Sequence, residues 1–202
     1  AHLQLKAMNW SPNLLEMGHF ETAEDFIGPL TESIRPHLSE DTHLLFSYHG
    51  LPVSHVKRID RSKAHCQTVE ACCTVKCEAN SLCYGRHCNE TTMAVVERLG
   101  LKPDQWSLSY QSRLGPVKWL EPSTTQMVEA LVKKGVKKLA IVAPAFLADG
   151  LETLEELDIG IREEFMEHGG TELKVINCLN DDEQWVRGLE QLIAKEFEQA
   201  VA

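Results

Sequence analysis

No apolar run in the sequence is long enough to cross a bilayer: the longest, residues 139–148, is interrupted by Pro144, and a span needs roughly 18 or more such residues. No transmembrane segment is expected. Basic residues are scarce beside acidic ones, 20 against 30, and the formal charge of -10 would repel a phosphate backbone. Nucleic acid is therefore disfavoured as a partner. The opening AHLQLK lacks an initiator Met, a basic n-region and an apolar h-region, so neither a signal nor a transit peptide is expected and a piece of a longer protein fits better. Internal repeats and Ser/Gly-rich linkers are absent too, which points to one domain. With 202 residues, 43% of them hydrophobic and 25% charged, the chain can bury a sizeable core.

Cysteine, by contrast, is concentrated. Six of the seven cysteines, Cys66, Cys72, Cys73, Cys77, Cys83 and Cys88, lie within 23 residues, and thiols crowded this closely mean a disulfide knot or a metal centre. Disulfide-dense scaffolds usually belong to small secreted domains without a large core. Here the expected core elements carry only Cys178, so a reducing cytoplasm and a metal are favoured.

Hydrophobic spacing organises the rest. Ala23, Phe26, Ile27, Leu30 and Ile34 follow a helical period, with Thr22 as N-cap and Pro29 as a kink or interruption. Residues 42–47 (THLLFS) read as a buried strand entering a loop, which places His49 just past a strand's carboxyl end. The Cys-rich stretch, 61–88, shows neither period and reads as an irregular insertion. Asn89 is expected to cap a helix that stops at Gly100, and 106–110 alternate as a strand. Ser123 and Gln126 form a capping-box pattern that opens a helix over 124–134. A strand at 138–142, a helix over 151–168, a strand at 173–176 and a helix over 182–200 complete the chain. This alternation predicts an α/β fold, a doubly wound parallel sheet of about four strands with helices on both faces. Ligands bind such sheets outside the carboxyl ends of the strands, here the loops at His49, at 111–119 and at 146–152.

Each of these loops has a structural reading and a chemical one. His49 alone would suit a loop histidine bonded to a carbonyl, Trp119 a packing anchor, and Asp149 with Glu152 a capping box. Yet Glu152 and Glu156 stand four apart on one helix face, where like charges cost a few tenths of a kcal/mol unless a cation joins them. The three stretches FSYHGLP (46–52), YQSRLGPVKWLEPST (110–124) and PAFLADGLETLEELD (144–158), in this order, together resemble the ferrochelatase family. The likeness covers nearly the whole chain but only the carboxyl-terminal part of the family's length; the amino-terminal half, which supplies the other wall of the porphyrin cleft, is missing.

That resemblance implies a chelatase-like fold and insertion of Fe2+ into protoporphyrin IX, with two protons released from the pyrrole nitrogens. It assigns His49 and Glu152 as catalytic residues and metal contacts, with Trp119, Phe146, Asp149 and Glu156 as substrate-binding residues. Imidazole can take a pyrrole proton and carboxylates suit Fe2+. Many family members carry a histidine two residues before the glutamate, where this chain has Gly150. Some members carry a two-iron, two-sulfur cluster, and Cys66, Cys73, Cys77 and Cys83 are the expected ligands, Cys72 being the alternative to Cys73. Zinc, with His65 or His87 as a fourth ligand, and disulfides stay open beside it. Two other readings remain: a metal-binding interaction module without catalysis, and a chelatase for another tetrapyrrole. The isolated fragment is expected to be inactive or nearly so, and peripheral membrane association of the intact protein stays open.

Overall fold

In the computed structural model, which describes residues 2–12 and 14–201, the four expected strands pair into one parallel sheet. The domain's expected bounds at Ala1 and Ala202 lie outside the described residues. The strands are β1 (Thr42–His49), β2 (Trp106–Gln111), β3 (Lys138–Val142) and β4 (Glu172–Val175), in the order β2-β1-β3-β4. β1 and β3 are buried almost end to end, whereas the edge strand β4 alternates exposed and buried. Interior strands covered on both faces must read this way.

Among the described residues there are seven α-helices: α1 (His2–Ala7), α2 (Glu24–Ile34), α3 (Val53–Lys57), α4 (Tyr84–Leu99), α5 (Thr124–Lys133), α6 (Arg162–Glu167) and α7 (Glu183–Val201). Side chains on β1 alternate between faces. Leu44, Phe46 and Tyr48 join the core made with α2, α4 and α7, including Phe26, Ile34, Val95 and Trp185. Leu45 points the other way, into a second core with Val128 and Leu131 of α5, Leu157, and Phe165 of α6. Ser47 and His49 follow Leu45 onto that second face. Each fully buried Leu or Phe contributes about 1.5–3 kcal/mol, so the two cores hold the strand ends as a fixed frame.

Local structure departs from expectation at informative places. β1 runs through His49, so the histidine ends the strand instead of following it. α4 starts at Tyr84 with Cys83 as its N-cap residue; Asn89 lies inside the helix and donates back to the Gly85 carbonyl at 3.1 Å. The irregular part of the Cys-rich stretch therefore ends at Cys83, short of the expected 88. Ala23, not Thr22, caps α2, and Pro29 sits within it without ending it. Proline at 29 removes the bond that would reach the Asp25 carbonyl four residues back. That oxygen faces α7 at Gly188, where any Cβ would collide with it, so a glycine closes the gap the proline opens. The helix expected over 151–168 is α-helical only in α6: residues Glu152–Ile161 form a π-helix. The Ser123 and Gln126 capping box is present as expected.

Candidate active site and cysteine-rich centre

β1 neighbours both β2 and β3, and the chain leaves β1 toward β2 but leaves β3 toward β4. The connections diverge there, so a crevice opens at the carboxyl ends of β1 and β3. His49 and Phe146 occupy it, with ring centroids 5.9 Å apart and planes tilted by 43°. His49 Nδ1–H donates to the Gly50 carbonyl at 2.7 Å, so in the neutral ring Nε2 is the acceptor. Gly50 N–H bonds the Gln111 carbonyl at 2.8 Å, and a Cβ at 50 would lie 2.6 Å from that oxygen. Only glycine allows so close an approach.

Gln111 and Ser112 have no expected role, yet they position both glutamates. Gln111 pairs with His49 across β1 and β2 and is 1% exposed. Its Oε1 accepts Ser47 Oγ–H at 2.6 Å, and its Nε2 donates to the Glu152 carbonyl at 3.1 Å. Ser112 grips the Glu156 carboxylate twice, through its backbone N–H at 2.7 Å and its hydroxyl at 3.1 Å. To do so it takes a left-handed conformation, φ 63°, costing about 1–2 kcal/mol. Two hydrogen bonds to a charged group, worth about 1.5–3 kcal/mol each, outweigh that. The signal in sequence was a polar pair ending an otherwise buried strand.

Asp149 does not form the expected capping box with Glu152. Its carboxylate instead accepts from Thr153 Oγ1 (3.0 Å), Cys178 N–H (3.2 Å) and Asn180 Nδ2 (2.7 Å). Burial opposes its charge, but the bonds from Asn180, Cys178 and Thr153 prevail and hold the carboxyl below its ordinary value. The loop after β3 is thereby tied to the segment after β4. Glu152 is half-buried, and its Oε2 would lie 3.2 Å from a Cβ at 150. A larger residue at 150 would press on the carboxylate. Trp119 lies over Gly50, in the strip where Pro52 and Trp119 pair as a short antiparallel bridge. Its indole N–H is buried and has no acceptor among the described residues.

All seven cysteines are free. Cys66, Cys72, Cys73 and Cys83 form one patch: the adjacent Cys72 and Cys73 bring their sulfurs to 3.8 Å, Cys73 bonds Cys83, and Cys66 feels the charge of both Cys72 and Cys83. The adjacent cysteines thus share a side, where Cys72 is expected only as the alternative to Cys73. Cys77, an expected ligand, turns to His65 at 3.7 Å. The Cys73 hydrogen bond lowers Cys83 to about 6, aided by N–H groups of Arg86 and Gly85 and the charge of His87 against the opposing burial. Burial and the neighbouring thiols raise Cys66 to about 11. Cys88 is buried in α4 among tyrosines, and that burial raises its thiol far above the ordinary value.

Comparison with known proteins agrees with the motif order. The sequence family described as Ferrochelatase matches residues 1–197. The ferrochelatase of Pseudomonas syringae pv. syringae is 43% identical over 174 residues, 86% of this chain and 51% of that protein. That of Pseudomonas aeruginosa is 44% identical over 168 residues, 83% of this chain and 49% of that protein. The chain spans about half the length of the curated relatives it matches. A solved structure of a cobalamin (vitamin B12) biosynthesis CbiX protein from Marinobacter aquaeolei aligns with 78% of this chain and 98% of its own, at 16% identity and a TM-score of 0.45.

Proposed function

The chain belongs to the ferrochelatase family, and on that premise we propose that the protein carrying it inserts Fe2+ into protoporphyrin IX. The observation that supports this most is that His49 meets Phe146 at the end of β1 while the adjoining end of β2 holds the Glu152 backbone and the Glu156 carboxylate through Gln111 and Ser112. In the reaction two pyrrole N–H protons leave the macrocycle and Fe2+ takes their place, so the site must accept protons and pass a dication. His49 Nε2 is the acceptor nearest the role of base, because Nδ1 is already committed to the Gly50 carbonyl. Glu152 contacts the ion or relays the protons, Glu156 and Asp149 hold the acidic edge in shape, and Phe146 with Trp119 stack on the porphyrin. The Trp119 indole N–H would gain an acceptor from the substrate or from the rest of a longer protein; left unpaired, a buried donor costs about 1–3 kcal/mol.

The test is porphyrin metallation by the whole protein, followed with Fe2+ and with Zn2+ as a fluorescent surrogate. Glu152→Gln and His49→Ala should each lower kcat by about 100-fold or more, as loss of a positioned acid or base does. Wild-type turnover in Glu152→Gln would reject the assignment. Coproporphyrin and sirohydrochlorin in parallel reactions separate the alternative tetrapyrroles, and failure of all three would leave the metal-binding module.

We further propose that the cysteine patch holds a two-iron, two-sulfur cluster through Cys66, Cys73 and Cys83, with Cys72 as the nearest fourth thiol and Cys77 as the alternative. The donor set fits: four free thiols adjoin, and one is already inclined to the thiolate that such a centre requires. When bound, the cluster would supply a rigid, electron-accepting crosslink. Anaerobically purified protein should contain iron and labile sulfide in equal amounts beyond any substrate iron, and Cys83→Ser should abolish both. Zinc without sulfide would select the mononuclear reading. The same free thiols support our proposal of a reducing, cytoplasmic setting.

A further inference from the structure

On the face of the sheet opposite His49, a second group of donors meets where the segment before α2 crosses the first turn of α4. We propose that His19, Glu21 and His87 form a site for a divalent transition-metal ion, separate from both the porphyrin crevice and the thiols. One donor atom from each residue lies within 4.8 Å of the others. The two imidazoles stand 4.7 Å apart, tilted by 59°, and His87 Nε2 is 3.4 Å from Glu21 Oε1. Donors around an ion at bond lengths of about 2.0–2.2 Å sit about 3–3.5 Å from one another, so closing on the ion requires a shift of about 1 Å.

The arrangement is held from outside. Phe20, between the two ligands in sequence, packs on Phe26 and Trp185 at 5.6 and 6.4 Å, which anchors the segment. The Glu21 carbonyl accepts Thr91 Oγ1–H at 2.9 Å, fixing the segment to α4. His87 Nε2–H donates to the Ser81 carbonyl at 2.9 Å, so the ligating nitrogen of the neutral ring is Nδ1, and a backbone partner on the other nitrogen is what orients such an imidazole. An ion pair would use only one histidine with Glu21. Two imidazoles and a carboxylate instead make a set suited to Zn2+, Co2+ or Fe2+. A cavity of about 300 Å³, lined also by Tyr48, Tyr84 and Leu147, leaves room for water in the remaining coordination positions.

Anaerobic titration of the chain with Co2+, read by visible absorption and by thermal unfolding, tests this. One equivalent should bind with ligand-field bands but without the sulfur-to-cobalt charge-transfer band that marks thiolate ligation, and should raise the Tm. His19 is exposed, so His19→Ala leaves the fold intact; it and Glu21→Gln should weaken that equivalent at least tenfold and remove the rise in Tm. Unchanged affinity in His19→Ala with unchanged circular dichroism would overturn the proposal. So would an equivalent that appears only with the charge-transfer band, because it would belong to the cysteines.

Discussion

At the scale of single residues, the side chains that do most are those whose hydrogen bonds leave them no second conformation. Gln111 is the clearest: its amide spans Ser47 and the Glu152 backbone, so an apolar substitution would leave Ser47 with Thr124 as its side-chain partner and take the amide donor from the Glu152 carbonyl, at about 1–3 kcal/mol. His43, at the far end of β1, shows how burial becomes pH dependence. It is 7% exposed and bonds Ser107 at 3.0 Å, and burial lowers its pKa from the ordinary 6.5, against the hydrogen bond to the Asp104 backbone. Below about 6.5 the unfolded chain binds a proton that the folded chain resists, so this contribution is full above that pH and is lost as pH falls toward the lowered value. The Tm should therefore drop as the pH is lowered through and below about 6.5, and His43→Gln should flatten part of that drop, the remainder coming from His37, lowered chiefly by burial.

The elements show where neighbours overrule local preference. Pro29 reads as a helix breaker, but α7 packs onto the carbonyl it exposes, and Gly188 provides the clearance. Gly188→Ala should cost about 1–3 kcal/mol, as forced overpacking does, read from the denaturant midpoint with an unchanged m-value. An unaltered midpoint would mean that α2 and α7 separate freely. The π-helix Glu152–Ile161 is a second case. Its residues carry an α-helical pattern, but Gln111 takes the Glu152 carbonyl and Ser112 takes Glu156, and π geometry of this kind is found mostly at functional sites. Asn89 is a third: a good cap by type, it lies inside α4 because Cys83 and the thiol patch start the helix earlier.

For the molecule as a whole, the function proposed above makes this fold one wall of a porphyrin cleft. The chain by itself is expected to metallate porphyrin at least 100-fold more slowly than a polypeptide that also carries the portion its relatives possess, about half their length. That comparison is a direct rate measurement, and equal rates would show that one wall suffices. Sequence alone determined the four strands, their parallel alternation with helices, and the edge on which His49, Trp119, Phe146, Asp149, Glu152 and Glu156 fall, because apolar period and loop chemistry are local and leave their trace in spacing. It also located the crowded thiols. Tertiary structure alone decided that Cys72 joins Cys66, Cys73 and Cys83 while Cys77 turns to His65, that Gln111 and Ser112 fix the glutamates, and that His19 and Glu21 meet the sequence-distant His87. Contacts between segments distant in sequence depend on how helices pack over a sheet, and no periodicity records that.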